Sequence, residues 1–457
     1  MRTQIRTQIR AQIRPMLTLA LPLILAELGW MSMGIVDTIM VGHMAHPVLA
    51  IAAAALGQVL YNTVAFGIAG VLLGLDTYLA QSHGAGRLDE ANRWLQHGLL
   101  LAAGLAVALM LIIAAAPMAL MHLPADHDVL LHASSFLEAL NWGTPPLLLA
   151  FVLRRYLQAF NHVKPIAISL VTANVVNAVV NWILIYGHHW GPIQIPALGV
   201  RGSGLSTAIS RLYLAAFMAI AVYRLDRRHK YGLRAAPRDV DLTRITRLLS
   251  LGAPAGAGIF VEISIFGAVT FLIGTMGPLP LAGHEIALNC ASFTFMIPFA
   301  ISAAAAVRVG QAIGRRSPSE ATAAGWAAIF LGAAAMATCA LVLAGMPNII
   351  AGAFTRDATV IAATVPLLYI AAAFQFFDGV QITANGALRG AGDTHTGLIV
   401  QLIGYWLIAL PLGYYLGFHR HLGPAGLWIG LCTGLIVAAA SLAIKWRYTT
   451  HHIPDAA

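Results

Sequence analysis

Charge is the first scarcity. Only 10% of the 457 residues are Asp, Glu, Lys or Arg, where an ordinary soluble domain carries about 25%. No stretch between the apolar runs is long enough to fold as a soluble enzyme or binding domain. Basic residues outnumber acidic ones, 27 to 18, but they stand in the breaks between apolar runs. They form no patch on a soluble face, which excludes a nucleic-acid partner. Cysteine is scarce too: Cys290, Cys339 and Cys432 each lie inside an apolar segment with no Cys-x-x-Cys spacing. They read as small buried hydrophobes, neither a disulfide framework nor a zinc site. A Walker motif, a phosphate-cradling loop, a Ser/His/Asp set and metal-spaced histidines are all missing. An ATP-driven pump is thereby excluded, and neither enzymatic activity nor a bound cofactor is expected.

What is abundant is apolar length. Hydrophobic residues make up 59% of the chain, and runs of about 20 residues, enough to cross a bilayer, recur from end to end. The pattern predicts an all-α polytopic membrane protein with twelve spans, near 15–42, 49–80, 94–122, 129–159, 165–187, 197–224, 243–276, 280–312, 320–346, 357–389, 394–418 and 422–447. The opening MRTQIRTQIRAQIRP imitates a signal peptide, but the apolar stretch after it is too long for one. Lys and Arg crowd one set of loop ends: Arg2 to Arg14, Arg87, Arg93, Arg154, Arg155, Lys164, the 224–247 region, Arg308, Arg315, Arg316, Arg389, Lys445 and Arg447. The opposite set holds Arg201, Arg356 and Arg420. Because basic loops stay in the cytoplasm, both termini are expected there. The expected organisation is a basic arm (1–14), an N-lobe of spans one to six (15–224), a linker (225–242), a C-lobe of spans seven to twelve (243–447) and a tail (448–457).

The sequence also repeats itself. LALPLILAELGWMSMGIVDTIMVGHM from Leu19 aligns with LGAPAGAGIFVEISIFGAVTFLIGTM from Leu251, so that Pro22 meets Pro254, Gly42 meets Gly274 and Met44 meets Met276. AQSHGAGR and GQAIGRR form a second matching pair. Six spans per repeat is an even number, so the repeats run parallel, as two lobes able to rock about a central cavity.

Carboxylates inside such spans cost about 2.5–3.5 kcal/mol each on insertion scales and therefore mark function by default. Asp37, Glu262 and Asp378 are three of them. In the fifth span, Asn174, Asn177 and Asn181 fall on one helical face. With Thr207 of the sixth they offer Asp37 hard oxygens for sodium or, if it carries a proton, hydrogen-bonding partners; as packing glue between helices they would need no ion. Gln375, Asp378, Gln381 and Asn385 make a polar stripe along the tenth span. Glu27 faces away from Asp37 and is either a cavity residue or a carboxyl capped by a neighbouring helix. Asp76, near the end of the second span, and His284 beside Glu285 read as structural. Prolines 22, 254, 298, 366 and 411 interrupt spans, and Pro22 is a candidate hinge. Arg211 is the one basic residue placed clearly inside a span.

These stretches, in order MGIVDTIMVG, AQSHGAGR, VNWILIYG, GHEIALNCASFTFMIPFAISAAAAVRVGQAIG and DGVQITANGALRGAGDT, resemble the signatures of the multidrug and toxic compound extrusion (MATE) family, and of its NorM-like branch because both Glu262 and Asp378 are present. The resemblance implies a two-lobed exporter exchanging organic cations for protons or sodium. It places the coupling group of the N-lobe on Asp37, Asn177 and Asn181 and that of the C-lobe on Glu262 and Asp378. Some members carry aspartate where Asn181 stands and tyrosine where Phe374 stands; both differences remove oxygens from a sodium cage, so a proton gradient is expected to suffice. The expected setting is a monomer in the lipid bilayer of a bacterial cytoplasmic (inner) membrane. A lipid-linked oligosaccharide flippase of the same superfamily is the alternative, and would need basic residues in its cavity to meet a pyrophosphate.

Overall fold

The computed structural model describes residues 2–44, 46–122, 126–190, 193–233 and 239–452. The chain is almost entirely helical. Its elements are α1 (Arg2–Val41), α2 (Pro47–Gly70), α3 (Gly74–Gly84), α4 (Leu88–Leu120), α5 (His127–Asn141), α6 (Thr144–Ala159) and α7 (Lys164–Tyr186). A small hairpin of β1 (His188–Trp190) and β2 (Ile193–Ile195) precedes α8 (Gly199–His229) and α9 (Leu242–Gly274). Then come α10 (Pro278–Gly314), α11 (Pro318–Gly345), α12 (Pro347–Phe354), α13 (Ala358–Gly390), α14 (His395–Gln401), α15 (Leu410–Tyr414) and α16 (Pro424–Thr450). A 3-10 turn, Val71–Leu73, joins α2 to α3, so these make one long span, Pro47–Gly84.

Among the described residues, eleven helical stretches are long and apolar enough to cross a membrane, and the bent pair α5–α6 makes a twelfth if it is one span. That pair covers the stretch expected as the 129–159 span and is bent by 49°. The break follows from the local sequence: Pro145 and Pro146 have no N–H to give the preceding turn, and at Gly143 a Cβ would lie 2.8 Å from the backbone of Ala208. Three further features depart from the sequence reading. The basic arm is already helical from Arg2. The hairpin pairs His188 with Ile195, and α12 fills what reads as a loop. The middle of the 225–242 linker and the last residues of the 448–457 tail lie outside the described residues.

Two compact units divide the chain. One comprises residues 25–75 and 87–249, the other 1–24, 76–86 and 250–457. They are not coextensive with the sequence halves, for a local reason. On α3, Thr77 Oγ1 donates to the carbonyl of Arg389 (2.6 Å) and Gln81 Nε2 to that of Gly390 (3.2 Å). On α1, Gln12 Oε1 accepts from Arg308 Nη2 at 2.6 Å. The first unit closes over a core built around Tyr61, Phe136, Leu137 and Leu140, the second over Ile265, Leu368, Phe374 and Trp428. Lipid-facing helices gain no hydrophobic drive from meeting each other, so close backbone approach must hold them. Between α11 and α13 a Cβ on Gly332 would fall 2.8 Å from the carbonyl oxygen of Gly379, and one on Gly379 would fall 2.5 Å from that of Gly332.

Candidate functional site

In the first unit α1, α7 and α8 bring Asp37 its partners. Asp37 is 5% exposed, and Asn177 and Asn181 are fully buried. Asn181 Nδ2 donates to Asp37 Oδ1 at 2.5 Å and to Asn177 Oδ1 at 3.2 Å, and Thr207 Oγ1 donates to Asp37 Oδ2 at 3.0 Å. Ser206, beside Thr207, donates to the carbonyl of Asn177 at 2.9 Å. Asp37, Asn177, Asn181 and Thr207 are thus one hydrogen-bonded group. Asn174 is not in it: its Nδ2 donates to the carbonyls of Gly29 (2.7 Å) and Leu170 (2.9 Å), pinning α7 to α1 two turns away. Arg211 of α8 lies over the ring of Tyr61, 4.6 Å from its centroid, and within electrostatic reach of Asp37.

Glu27 has a different environment. Its carboxylate forms a buried ion pair with Arg154 of α6, the two side chains being 7% and 8% exposed. Of the two readings open to Glu27, the structure shows the carboxyl capped by a neighbouring helix. It also corrects the placement of Arg154 and Arg155 at a loop end, and with it the reading of Arg211 as the one basic residue inside a span. Both arginines are buried within α6, Arg154 held by Glu27 and Arg155 donating to Gln158 Oε1 at 3.1 Å. Arg389, likewise buried, pairs with Asp76 at 3.4 Å, a structural role for that aspartate.

The second unit gathers another acidic group. Glu262 of α9 accepts from Gln401 Nε2 at 3.1 Å and from Tyr405 Oη at 3.3 Å. Asp378 of α13 is buried and within electrostatic reach of both Glu262 and Tyr405. The rest of the polar stripe disperses. Gln375 Nε2 donates to Thr294 Oγ1 at 2.6 Å, whereas the Gln381 amide is fully buried and finds no hydrogen-bond partner among the described residues. Sequence reasoning missed Gln401 and Tyr405, although two polar side chains four apart in an apolar span were a legible signal. It could not foresee that Leu402–Ala409 and Tyr415–His419 are π-helical, on either side of Pro411, whose missing N–H disturbs the regular ladder. His284 has both ring nitrogens engaged, Nδ1 accepting from Trp428 Nε1 (3.0 Å) and Nε2 facing Thr270 Oγ1 (2.8 Å).

The two units solve one problem in the same way. Trp406 Nε1 donates to the carbonyl of Val261 at 3.2 Å, and in the internal repeat Val261 aligns with Gly29, whose carbonyl accepts from Asn174. Different side chains thus make the same bond from the fifth span of each repeat to its first. A family model described as MatE matches residues 22–183 and again 254–415, beginning at Pro22 and Pro254, the very residues the internal repeat superimposes. The chain belongs to the MatE family. Relatives cover nearly its whole length. A protein named "Probable multidrug resistance protein NorM" from Mesorhizobium japonicum is 34% identical, over 94% of this chain and 92% of its own. "Multidrug resistance protein MdtK" from Yersinia pseudotuberculosis is 32% identical, over 95% and 94%. Among solved structures, the eukaryotic MATE transporter AtDTX14 superposes with a TM-score of 0.87 over 98% of this chain and 99% of its own, at 20% identity, which speaks for the fold. As a MATE protein, the chain joins a family of multidrug efflux transporters whose halves repeat one helical plan.

Proposed function

We propose that this protein is a secondary antiporter that exports amphipathic organic cations across a bacterial cytoplasmic membrane in exchange for protons. It would work as a monomer, with both termini in the cytoplasm and the two lobes alternating access to a central cavity. The observation that carries the reading is the Asp37 group: a carboxylate buried on α1 whose two oxygens accept from Asn181 and Thr207. A deprotonated Asp37 attracts a cation, and a proton bound there removes that attraction, so cargo and driver compete for one charge. Exchange follows from the competition. The drive is adequate, since one elementary charge moving through 100 mV releases about 2.3 kcal/mol.

The residue types favour the proton over sodium: Asn181 in place of an aspartate and Phe374 in place of a tyrosine each leave fewer oxygens for a sodium cage. Asn181 turns its NH2 group toward both Asp37 and Asn177 Oδ1, and those donors occupy lone pairs that sodium would need. The same donors stabilise the ionised carboxylate, so taking up a proton requires one of them to turn, and Asn181 Oδ1, buried without a hydrogen-bond partner among the described residues, is the acceptor its amide would then present. In the second unit, Glu262 and Asp378 supply a further acidic group. The unpartnered amide of Gln381, one turn beyond Asp378, leaves donor and acceptor capacity for water or a polar part of the cargo. The names of the NorM and MdtK relatives support drugs as the cargo class. The flippase reading has less support, because Arg154 and Arg389 are neutralised by Glu27 and Asp76, and Arg211 lies over Tyr61 within electrostatic reach of Asp37.

Efflux of a cationic dye from proteoliposomes, with pH and sodium gradients imposed separately, tests the proposal. Export driven by a pH gradient in sodium-free buffer is the expected result. Transport that requires sodium at constant pH and ignores a pH gradient would overturn the choice of ion. Movement of no cationic dye under either gradient would overturn the exporter reading itself.

A further inference from the structure

In the first unit a groove of about 430 Å³ opens between α7 and α8, far along the chain from Asp37. Its apolar part is made by Ile168, Phe217, Ile220 and Leu225, and its other end by Arg224, Arg228 and His162. Ile168 and Ile220 are 53% and 51% exposed, so the apolar part faces outward. On α8 the positions 217, 220, 224 and 228 follow helical spacing and share a face. At 1.5 Å per residue the run from Phe217 to Arg228 spans about 16 Å. The groove is therefore apolar along most of one helix face and cationic at the end where α8 leaves the membrane.

Among the described residues neither arginine is neutralised: no ion pair involves Arg224 or Arg228. The acid nearest in sequence, Asp226, is 9% exposed and accepts from the backbone N–H of Leu233 at 2.9 Å. Arg227 lies 5.8 Å from the ring centroid of Tyr223, and Lys164, exposed at the start of α7, adds charge of the same sign. Unpaired guanidinium groups at the mouth of an apolar groove between two membrane helices call for a ligand with an anionic head and a hydrocarbon tail.

We propose that this groove binds an anionic phospholipid from the leaflet that the basic helix ends enter, its phosphate on Arg224 and Arg228 and an acyl chain along Phe217 and Ile220. Cationic cargo is repelled by the mouth, and free phosphate has no use for the apolar floor. A second copy of the chain would bring two like-charged mouths together, which opposes association. The site is independent of the coupling group, so its failure would leave the antiporter reading untouched.

The experiment uses the purified full-length protein with phosphatidylglycerol and phosphatidylcholine of matched acyl chains, read by native mass spectrometry. A preference of about tenfold or more for phosphatidylglycerol is expected, from roughly one favourable charge contact per arginine. R224Q/R228Q should abolish the preference and R224K/R228K should keep most of it. Because the glutamine variant could misfold, F217W with both arginines intact provides a second reading. Brominated phosphatidylglycerol should quench the fluorescence that F217W adds to wild type more than brominated phosphatidylcholine does. Equal retention of the two lipids, a preference that survives R224Q/R228Q, equal quenching, or displacement of phosphatidylglycerol by inorganic phosphate alone would each overturn the proposal.

Discussion

At the residue scale, what matters is how each buried charge is satisfied, and the acids of the first unit differ on this point. Asp37 accepts hydrogen bonds from the neutral Asn181 and Thr207, with Arg211 acting on it only electrostatically, so its charge remains available to a cation or a proton. Glu27 meets Arg154 and is spent. Asp37→Asn preserves the shape of the group but cannot titrate, and is expected to leave yield and monodispersity near wild type while lowering dye efflux at least tenfold. Efflux at the wild-type rate from a variant present at normal level would remove Asp37 from the mechanism. The Glu27–Arg154 pair should behave in the opposite manner. Glu27→Gln alone strands a buried guanidinium, and losing one partner of a buried pair typically costs about 3–5 kcal/mol. Thermal unfolding in detergent should show a large loss for Glu27→Gln and a smaller one for the double variant Glu27→Leu/Arg154→Met, because hydrophobic replacement of both partners leaves no orphaned charge. A double variant as unstable as the single one would mean that the pair does more than neutralise itself. The sequence made Asp37 legible because its neighbours on α1 are apolar and the asparagines of α7 share a face. It did not make the partner of Glu27 legible, since Arg154 stands only five residues from the end of its helix and reads as a loop charge until the burial of α6 is seen.

Elements were legible where apolar length decided them and illegible where backbone chemistry did. Apolar runs were enough to locate the long helices, but the bend between α5 and α6 and the π-helical turns around Pro411 depend on missing N–H groups and close contacts that hydropathy does not encode. The paired motifs AQSHGAGR and GQAIGRR show the gain from structure most directly. Within the second unit, α3 packs on α10 so that a Cβ on Gly84 would collide with the carbonyl oxygen of Gln311, and a Cβ on Gly314 with that of Gln81. The repeated Gln-x-x-Gly is thus self-complementary, each glycine admitting the backbone beside the other glutamine. A backbone carbonyl cannot swing aside as a side chain can, so Gly84→Leu and Gly314→Leu should each force α3 and α10 apart. Expected are a lowered unfolding temperature and easier proteolysis near residues 85–87, with Gly104→Leu, where nothing lies within 4 Å of an added Cβ, as the neutral control. Equal behaviour of Gly84→Leu and Gly104→Leu would show that this seam does not hold the element in place.

On the scale of the whole molecule, the first and fifth spans of a repeat must run in the same direction if every span crosses. The hydrogen bonds agree with this: Asn174 meets Gly29 and, seven residues on, Asn181 meets Asp37, eight residues on. Partners that advance together along α7 and α1 belong to parallel helices. Between the third span and the linker, parity rests on the bent pair α5–α6, the stretch that length and composition leave open as one span or none. If it crosses, three spans separate Ala125 from Arg234 and the two loops lie on opposite sides; if it is re-entrant, two spans separate them and they share a side. The parallel run of α1 and α7 favours the first, since two crossings between them would make them antiparallel, and charge agrees. Even without the buried Arg154, Arg155 and Arg389 and the half-buried Arg308, Lys and Arg remain concentrated at one set of ends, and the linker near Arg234 is among the most basic of them. Both positions lie outside the described residues, and labelling reads the side of each loop directly. In a background with Cys290, Cys339 and Cys432 replaced, Ala125→Cys should react with a membrane-impermeant maleimide on intact cells, and Arg234→Cys only after permeabilisation. Reaction of both from one side would make α5–α6 a re-entrant pair. The first repeat would then have five crossings, and its six-span parallel relation to the second would fail.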